Sequence, residues 1–396
     1  MSGMAAGTAT DELELLLSES PAAAVRRERI AFDEQAAPFE NRLVLFGAGG
    51  FGRRTLAGLR FLGIEPLAFA DNNRVLWGRS VEGLRVISPQ EAADEFGDSA
   101  AFVLTIWNGQ AKDRMADRVR QLKGIGCARV IPAAFLFWKY PDLFLPYYPL
   151  DLPHKVLMKA DEVRRAFDLF HDDASRREYV AQILFRLHLD YDCLPLPGPE
   201  EHYFPDLFRP LPDEVLVDCG AFDGDTIRGF LGLQGGRFTR ILAFEPDPLN
   251  WPRLQETVAA LPEEIRPKIA CFRKAVSAVT GRIQFDSTGT DLSATGTGAM
   301  SVECIELDEA LRGHAPTMIK FDIEGAELGA LSGARRTIRK SLPILAVSAY
   351  HQQRHLWEIP LAIAGMTSQY RFGLRPHGTE AWDLVCYAIP PERWAL

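Results

Sequence analysis

The segment Glu214–Thr226 contains glycine and acidic residues in an order that suits ligand binding. It reads EVLVDCGAFDGDT, which predicts a buried strand, a turn containing Gly220 and Gly224, and the start of a helix. Glycines let a backbone approach a ligand closely, and the N-terminus of the following helix favours a carboxylate or phosphate. Asp218 would order the turn or bind an ammonium group. Alone, the pattern fits an ordinary strand–turn–helix junction equally well.

Glu245 makes the prediction more specific. It lies twenty-five positions after Gly220, at the end of the next predicted strand. A carboxylate at that place in a doubly wound sheet can accept hydrogen bonds from both hydroxyls of a ribose. The combination predicts a ribose-bearing ligand whose other end is anionic or zwitterionic. The ligand would bind at the carboxyl ends of the strands.

Three titratable residues follow later predicted strands and are candidates for catalysis: Asp322, Glu324 and His351. An unperturbed histidine has a pKa near ~6.5, so His351 suits a general base. The alternative is a histidine that merely ends its strand. We expect Asp322 to face the cofactor, and Glu324 or Glu327 to order the loop around Gly325.

No metal ligand is predicted. Carboxylates at positions 322 and 324 could bind a divalent cation, but no further oxygen ligands follow at fixed spacing. Lys320 would pair with one of the nearby acids. The Gly/Ser/Thr-rich segment 287–299 fits either a loop over an acceptor site or a plain connection.

A second glycine turn lies near the N-terminus. The run GAGGFG follows a short apolar strand and contains Gly47, Gly49 and Gly52, with Asp71 at the end of the next strand. This is the dinucleotide-binding pattern in its structural context. A nucleotide such as NAD(P), or a nucleotide-sugar, would bind there. A degenerate scaffold or oligomerisation domain explains the same residues.

Strands alternating with helices position both turns and predict an α/β fold with two doubly wound Rossmann-like domains. We predict a helical lead-in over residues 1–40 and a Rossmann-like nucleotide-binding or accessory domain over 41–131. A Pro- and aromatic-rich helical connector would occupy 132–213, and the second domain 214–396. Single strands are expected over 283–285 and 302–305, and single helices over 326–341 and 352–364.

Composition restricts the class of protein. The 396 residues include 47% hydrophobic and 24% charged residues, which is ordinary for a globular chain. A net charge of -9 argues against nucleic acid as a partner, and no apolar run is long enough to span a membrane. No secretory signal is evident, and the six dispersed cysteines predict a reducing, cytoplasmic location.

The C-terminal half resembles the FkbM family of S-adenosylmethionine-dependent methyltransferases. The resemblance rests on six segments: Val217–Thr226, Ala243–Pro248, Ala275–Ser277, Ile305–Leu311, Ile319–Glu327 and Leu331–Ala334. It implies a seven-stranded class I methyltransferase sheet, S-adenosylmethionine as donor and a hydroxyl oxygen as acceptor. The Asp/Asn-Pro-Pro-aromatic run of many amide and base N-methyltransferases is absent, which also favours oxygen.

The resemblance assigns cofactor residues by position. The methionine part would be lined by Gly220, Ala221, Phe222, Gly224, Asp225 and Thr226, with Asp218 and Asp322 at the neighbouring strand ends. Glu245, followed by Pro246, would bind the ribose. Ala275, Val276 and Ser277 would border the adenine.

The leading hypothesis is a methyltransferase that methylates a hydroxyl of a sugar or secondary metabolite by in-line displacement. One alternative is an NAD(P)-dependent oxidoreductase or nucleotide-sugar-binding protein that uses the N-terminal turn. The other is a non-catalytic scaffold. The sequence leaves the acceptor and the oligomeric state open.

Overall fold

The computed structural model describes residues 8–109, 113–287, 294–295 and 300–396. The chain forms two compact units. Unit 1 comprises Met1–Ala160, Val180–Leu196 and Gly378–Trp382, and unit 2 comprises Asp161–Tyr179, Pro197–His377 and Asp383–Leu396. The predicted boundaries at 40, 131 and 213 stay predictions. No helix among the described residues has the length and apolar character needed to cross a membrane.

The elements up to residue 188 are, in chain order, α1 (Ala9–Leu17), α2 (Pro21–Ala36), β1 (Leu43–Phe46), α3 (Gly50–Phe61), β2 (Ala68–Ala70), β3 (Ser80–Val81), β4 (Leu84–Ile87), α4 (Pro89–Phe96), β5 (Ala101–Leu104), α5 (Met115–Gly124), β6 (Arg129–Pro132), α6 (Ala133–Lys139), α7 (Pro141–Phe144), α8 (Pro153–Leu157), α9 (Ala160–Phe167) and α10 (Asp173–His188).

Unit 1 is built on a six-stranded sheet with the order β3-β4-β2-β1-β5-β6. All its neighbouring strands are parallel except the short β3, which runs antiparallel to β4. Strand β1 is buried along its whole length, as expected for a parallel strand covered on both faces. The GAGGFG turn lies directly after β1, where the chain leaves the centre of the sheet for α3.

The elements after residue 188 are β7 (Val215–Cys219), α11 (Asp225–Gln234), β8 (Arg240–Phe244), α12 (Trp251–Ala259), β9 (Ile269–Phe272), β10 (Ala275–Val276), β11 (Gly281–Asp286), β12 (Ala294–Thr295), β13 (Met300–Ile305), α13 (Leu307–Ala310), β14 (Met318–Phe321), α14 (Glu327–Gly333), α15 (Arg335–Ser341), β15 (Ile344–Ser348), α16 (His355–Ala364), β16 (Arg371–Pro376) and β17 (Leu384–Ile389).

Unit 2 contains the predicted seven-stranded sheet, in the order β16-β17-β15-β14-β7-β8-β9. Strand β17 is antiparallel to both of its neighbours, and the remaining pairs are parallel. From β7 the chain proceeds to β8 and β9 on one side, and later to β14 and β15 on the other. The order of strands therefore reverses between β7 and β14, which is where ligands bind in open α/β sheets.

Four predicted elements of unit 2 differ from the prediction in their pairing, continuity or starting residue. Strands β11 and β13 pair with β10 and β12 in a separate four-stranded sheet rather than joining the main one. The helix predicted over 326–341 is divided at Ala334, whose φ of -108° and ψ of 2° leave helical geometry, into α14 and α15. The helix predicted from residue 352 begins at His355. Most of the segment 287–299 lies outside the described residues.

Buried apolar side chains cover the main sheet of unit 2. Ile241, Met318 and Ile344 come from three different strands and belong to one hydrophobic cluster. Cys219 and Cys386 are fully buried in this sheet as free thiols, and Cys127 is buried in unit 1. Burial raises the pKa of each of these three thiols, to about 12 for Cys127.

Candidate active site

The turn after β7 has an unusual backbone. Gly220, Phe222 and Gly224 have φ values of 84°, 46° and 86°, so three of five consecutive residues are in the left-handed region. The amides of Gly220 and Ala221 both donate to the carbonyl of Phe244, 3.0 Å away in each case. Left-handed φ is costly for a residue with a side chain, so Phe222 marks local strain of the kind found at ligand-binding sites.

Glu245 fixes this turn from the end of β8. Its Oε2 accepts a hydrogen bond from the amide of Phe222 at 2.8 Å, and its Oε1 accepts one from the amide of Asp247 at 2.8 Å. Burial raises the pKa of Glu245 to about 7, and the two amides only partly offset this. The carboxylate therefore lies against the glycine turn in a fixed orientation, with lone pairs left for other donors.

The two turn glycines are needed for packing within the protein. A Cβ at Gly220 would collide with the carbonyl oxygen of Asp322, and one at Gly224 would lie 2.8 Å from the side chain of Thr257. Both glycines therefore serve the packing of the protein, and their role beside a ligand stays a prediction. The absence of a side chain at Gly220 lets the backbone after β14 approach closely, and its absence at Gly224 does the same for helix α12.

Asp218 forms a buried ion pair with Lys320 on the neighbouring strand β14. The Lys320 Nζ lies 3.0 Å from Asp218 Oδ1 and donates to the carbonyl of Gly220 at 2.6 Å. Burial raises the pKa of Asp218 to about 6, and the lysine acts against this shift. The ammonium group that contacts Asp218 is thus the side chain of Lys320. This agrees with the expectation that Lys320 pairs with a nearby acid.

The three predicted catalytic residues come together at the ends of β14 and β15. His351 Nε2 lies 3.3 Å from Asp322 Oδ1 and 3.3 Å from Glu324 Oε1. His351 Nδ1 lies 2.7 Å from Glu327 Oε1, which also accepts hydrogen bonds from the amides of Ile323 and Gly325. Glu327 thereby orders the loop around Gly325, as expected for it or for Glu324.

The charges of this cluster depend on one another. Burial opposes ionisation of His351, but Glu324 and Glu327 outweigh it and raise the pKa of the imidazole well above its ordinary value. Burial would likewise raise the pKa of Asp322, but Lys320 and His351 lower it to about 2. At neutral pH His351 is therefore protonated and Asp322 is ionised. In this state His351 has no free nitrogen with which to act as a base.

Tyr203 was not identified from the sequence, although it contacts the cluster. Its hydroxyl donates to Asp322 Oδ2 at 2.6 Å, and its ring lies 5.1 Å from Lys320 Nζ. Its neighbour His202 stacks on it, with the ring centroids 3.9 Å apart. Both residues belong to the Pro-rich region read as a connector. The aromatic residues of this region were visible in the sequence, but their positions along the chain gave no link to Asp322.

The residues assigned to the adenine occupy a different sheet. Ala275 and Val276 form the short buried strand β10, which pairs with β13, and the amide of Ser277 donates to the carbonyl of Ile305. Asp225 accepts a hydrogen bond from the amide of Thr226 at 2.6 Å at the start of α11. The roles of these residues in binding stay predictions.

The N-terminal turn in unit 1 has a similar local design. Asp71 Oδ2 accepts a hydrogen bond from the amide of Ala48 at 2.7 Å, and its Oδ1 accepts one from the amide of Asn73. A Cβ at Gly52 would collide with the carbonyl oxygen of Gly47. No Cβ contact is found for Gly49. The turn is thus held together by its own acid and glycines.

The seven-stranded sheet, with an acidic residue at a strand end beside a glycine turn, is the arrangement that the resemblance to class I methyltransferases implies. Residues 218–372 match the model of the methyltransferase FkbM domain. This part of the chain is therefore similar to the FkbM methyltransferase domain, which confirms the resemblance seen in the sequence.

Two curated relatives are similar over this region. The 2-O-methyltransferase NoeI of Sinorhizobium fredii is 28% identical over 155 residues, which cover 33% of this chain and 61% of the relative. The hexuronic acid methyltransferase AglP of Haloferax volcanii is 30% identical over 143 residues, or 34% of this chain and 57% of the relative. The chain thus spans about three fifths of the length of each.

A solved structure is similar over nearly the whole chain. The crystal structure of methyltransferase FkbM from Methylobacillus flagellatus KT has a TM-score of 0.74 and 25% sequence identity. The match covers 96% of this chain and 98% of that protein. The predicted α/β class is confirmed by this similarity and by the two sheets.

Proposed function

We propose that this chain is an S-adenosylmethionine-dependent O-methyltransferase that methylates a hydroxyl group of a sugar or a related small metabolite. The observation that carries the proposal is the position of Glu245. It is buried at the end of β8, hydrogen-bonded to the strained turn after β7, and it lies within the FkbM domain. The names of the two relatives support a sugar-like acceptor and transfer to oxygen.

The residues of the turn fit the donor. Glu245 would accept hydrogen bonds from the two ribose hydroxyls, because its carboxylate is already oriented by two backbone amides. The turn 220–226 and the first residues of α11 would hold the methionine carboxylate through backbone amides. When bound, S-adenosylmethionine supplies a methyl group on an activated sulfonium leaving group.

Catalysis by this chain would consist mainly of alignment. Asp322 lies at the reversal of strand order and accepts a hydrogen bond from Tyr203, so its carboxylate is fixed at the mouth of the sheet. There Asp322 would orient the acceptor hydroxyl. Glu324 and His351, the other proposed catalytic residues, contact each other beside Asp322. Removal of the acceptor proton typically contributes ~10²–10⁴-fold.

Calorimetric titration with S-adenosylhomocysteine tests the proposal. Glu245→Ala should weaken binding by about 1.5–3 kcal/mol, the usual value of a hydrogen bond to a charged group. Asp71→Ala removes the corresponding acid of unit 1 and is the matched control. It should leave the affinity unchanged.

Other outcomes would contradict the proposal. NADH binding that is lost in Asp71→Ala would favour an oxidoreductase centred on the N-terminal turn. Binding of neither compound would favour a scaffold. If S-adenosylhomocysteine binds, mass spectrometry of sugars incubated with isotopically labelled donor should then show the gain of one methyl group on oxygen.

A further inference from the structure

The side chains at the ends of β14 and β15 offer three metal-ligand atoms to one point. Asp322, Glu324 and His351 each provide one donor, and the three donor atoms lie within 4.8 Å of one another. Two of the distances, from His351 Nε2 to a carboxylate oxygen, are 3.3 Å. Neighbouring donors around an ion with bonds of roughly 2.1–2.3 Å are about 3.0–3.3 Å apart, so the spacing fits a common ion.

Two further residues hold these donors in place from behind. Glu327 binds Nδ1 of His351 at 2.7 Å, which directs Nε2 towards the two carboxylates. Tyr203 donates to Oδ2 of Asp322 at 2.6 Å, which leaves Oδ1 facing the histidine. Metal-bound histidines usually donate their other ring nitrogen to a carboxylate or carbonyl in this manner.

An oxygen atom of Asp322 points to a missing ligand. Its Oδ1 is shielded from solvent and accepts no hydrogen bond from any described residue. The one polar contact of this oxygen among the described residues is the ion pair with His351 Nε2 at 3.3 Å, and a metal ion bound between the two atoms would satisfy the oxygen. The nearest partner is His351 Nε2, which is directed at the same point as a metal ligand would be.

The charge around this point also favours a cation. Asp218, Asp322, Glu324 and Glu327 are four carboxylates at adjoining strand ends, and Lys320 is committed to Asp218. The four carboxylates outnumber the one ammonium group of Lys320, and the ion would take the place of the Nε2 proton of His351, which passes to solvent as the ion binds. Buried charges that are not compensated destabilise a fold, and a divalent cation would balance this excess.

We propose that Asp322, Glu324 and His351 bind a divalent transition-metal ion such as Mn²⁺, which in turn binds the hydroxyl of the methyl acceptor. One imidazole and two carboxylates suit such ions, and the three ligands leave other coordination positions open. From the sequence no metal ligand was predicted, because no further oxygen ligands follow Asp322 and Glu324 at fixed spacing; the third donor, His351, comes from the next strand end. The functional role, though not the binding itself, rests on the proposed methyl transfer.

The chemistry balances without any further reactant. The ion lowers the pKa of the bound hydroxyl, whose proton passes to solvent water. The acceptor oxygen then attacks the methyl carbon, so that a C–O bond forms and the S–CH₃ bond breaks. The bonding electron pair of that bond goes to sulfur, and S-adenosylhomocysteine leaves as a neutral thioether. The side chain of Asp322 is 24% exposed, which gives ion and acceptor a way in.

Titration of the chelator-treated full chain with MnCl₂, followed by calorimetry and by the electron paramagnetic resonance of free Mn²⁺, tests the proposal. One Mn²⁺ per chain is expected. His351→Ala and Glu324→Gln should each weaken binding at least about 100-fold, and Glu327→Gln about 10–100-fold. Glu358→Gln is the matched control, because this acid lies on α16 and pairs with Arg354 instead. It should bind Mn²⁺ normally.

Two results would overturn the metal site: no Mn²⁺ binding by the unaltered chain with and without S-adenosylhomocysteine, or equal affinity in all the variants. Circular dichroism checks that each variant is folded, and Glu324→Gln provides an isosteric replacement if His351→Ala is not. The two proposals fail separately. Binding of S-adenosylhomocysteine without Mn²⁺ removes only the metal, whereas Mn²⁺ binding without S-adenosylhomocysteine removes only the proposed donor.

Discussion

At the scale of single residues, the protonation of Glu245 is the property most open to measurement. Its pKa is raised to about 7 by burial, so the free chain carries a mixture of protonated and ionised Glu245 near neutral pH. Ribose hydroxyls donate to the ionised form, and a protonated carboxyl must lose its proton before it can accept from both.

The affinity for S-adenosylhomocysteine should therefore rise by about tenfold from pH 6 to pH 8 and level off above that, since one pKa unit is a factor of ten. Calorimetry at the two pH values measures this. In Glu245→Gln the side chain cannot ionise, so the affinity should be weaker and nearly independent of pH. An unaltered chain whose affinity is the same at both values would contradict the assignment.

At the scale of elements, the loop between β7 and α11 depends on how closely the neighbouring strand end approaches it. Gly220 and Gly235 both have left-handed φ, at 84° and 55°. A Cβ at Gly220 would meet the backbone of Asp322, whereas one at Gly235 would meet open space. Substitution of Gly235 therefore measures the cost of backbone strain alone, whereas substitution of Gly220 adds the cost of steric contact.

Gly235→Ala should lower the free energy of unfolding by about 1–2 kcal/mol, from strain alone. Gly220→Ala should cost a further 1–3 kcal/mol or so, because the backbone carbonyl of Asp322 must shift. Urea denaturation of both variants measures the difference. Equal losses would show that the contact between these two strand ends is not tight.

Much at this scale could be predicted from sequence. Local patterns of apolar residues and glycines predicted the two strands that precede the glycine turns, β1 and β7, and Glu245 was found because it directly follows its strand. Tyr203 could not be found, since its contact with Asp322 joins residues 119 positions apart. The packing of Gly224 against Thr257 could not be predicted either, because it depends on where helix α12 packs. The spacing of residues along the chain does not show which distant residues come into contact in the fold.

At the scale of the whole molecule, each unit has its own mainly parallel sheet with a glycine turn after a central strand. In unit 1, Asp71 binds the backbone of the GAGGFG turn, and in unit 2, Glu245 binds the backbone of the turn after β7. The carboxylate in each case contributes to the shape of its turn. A variant of Glu245 will thus report both the loss of a ligand contact and some loosening of the turn.

The buried thiols give the molecule an internal reporter of its own opening. Cys219 and Cys386 lie in the main sheet of unit 2 and Cys127 in unit 1, and burial keeps all three in the unreactive protonated form. Alkylation by iodoacetamide in native buffer should therefore proceed only through rare exposure of each sheet.

Peptide mass spectrometry at successive times would give separate alkylation rates for the cysteines of unit 1 and of unit 2. S-adenosylhomocysteine should slow the labelling of Cys219 and Cys386 by the factor that its concentration and affinity dictate, and leave Cys127 to follow its own kinetics. Immediate labelling of Cys219 would contradict its burial. The three buried cysteines thus report how often each unit opens, without any engineered label.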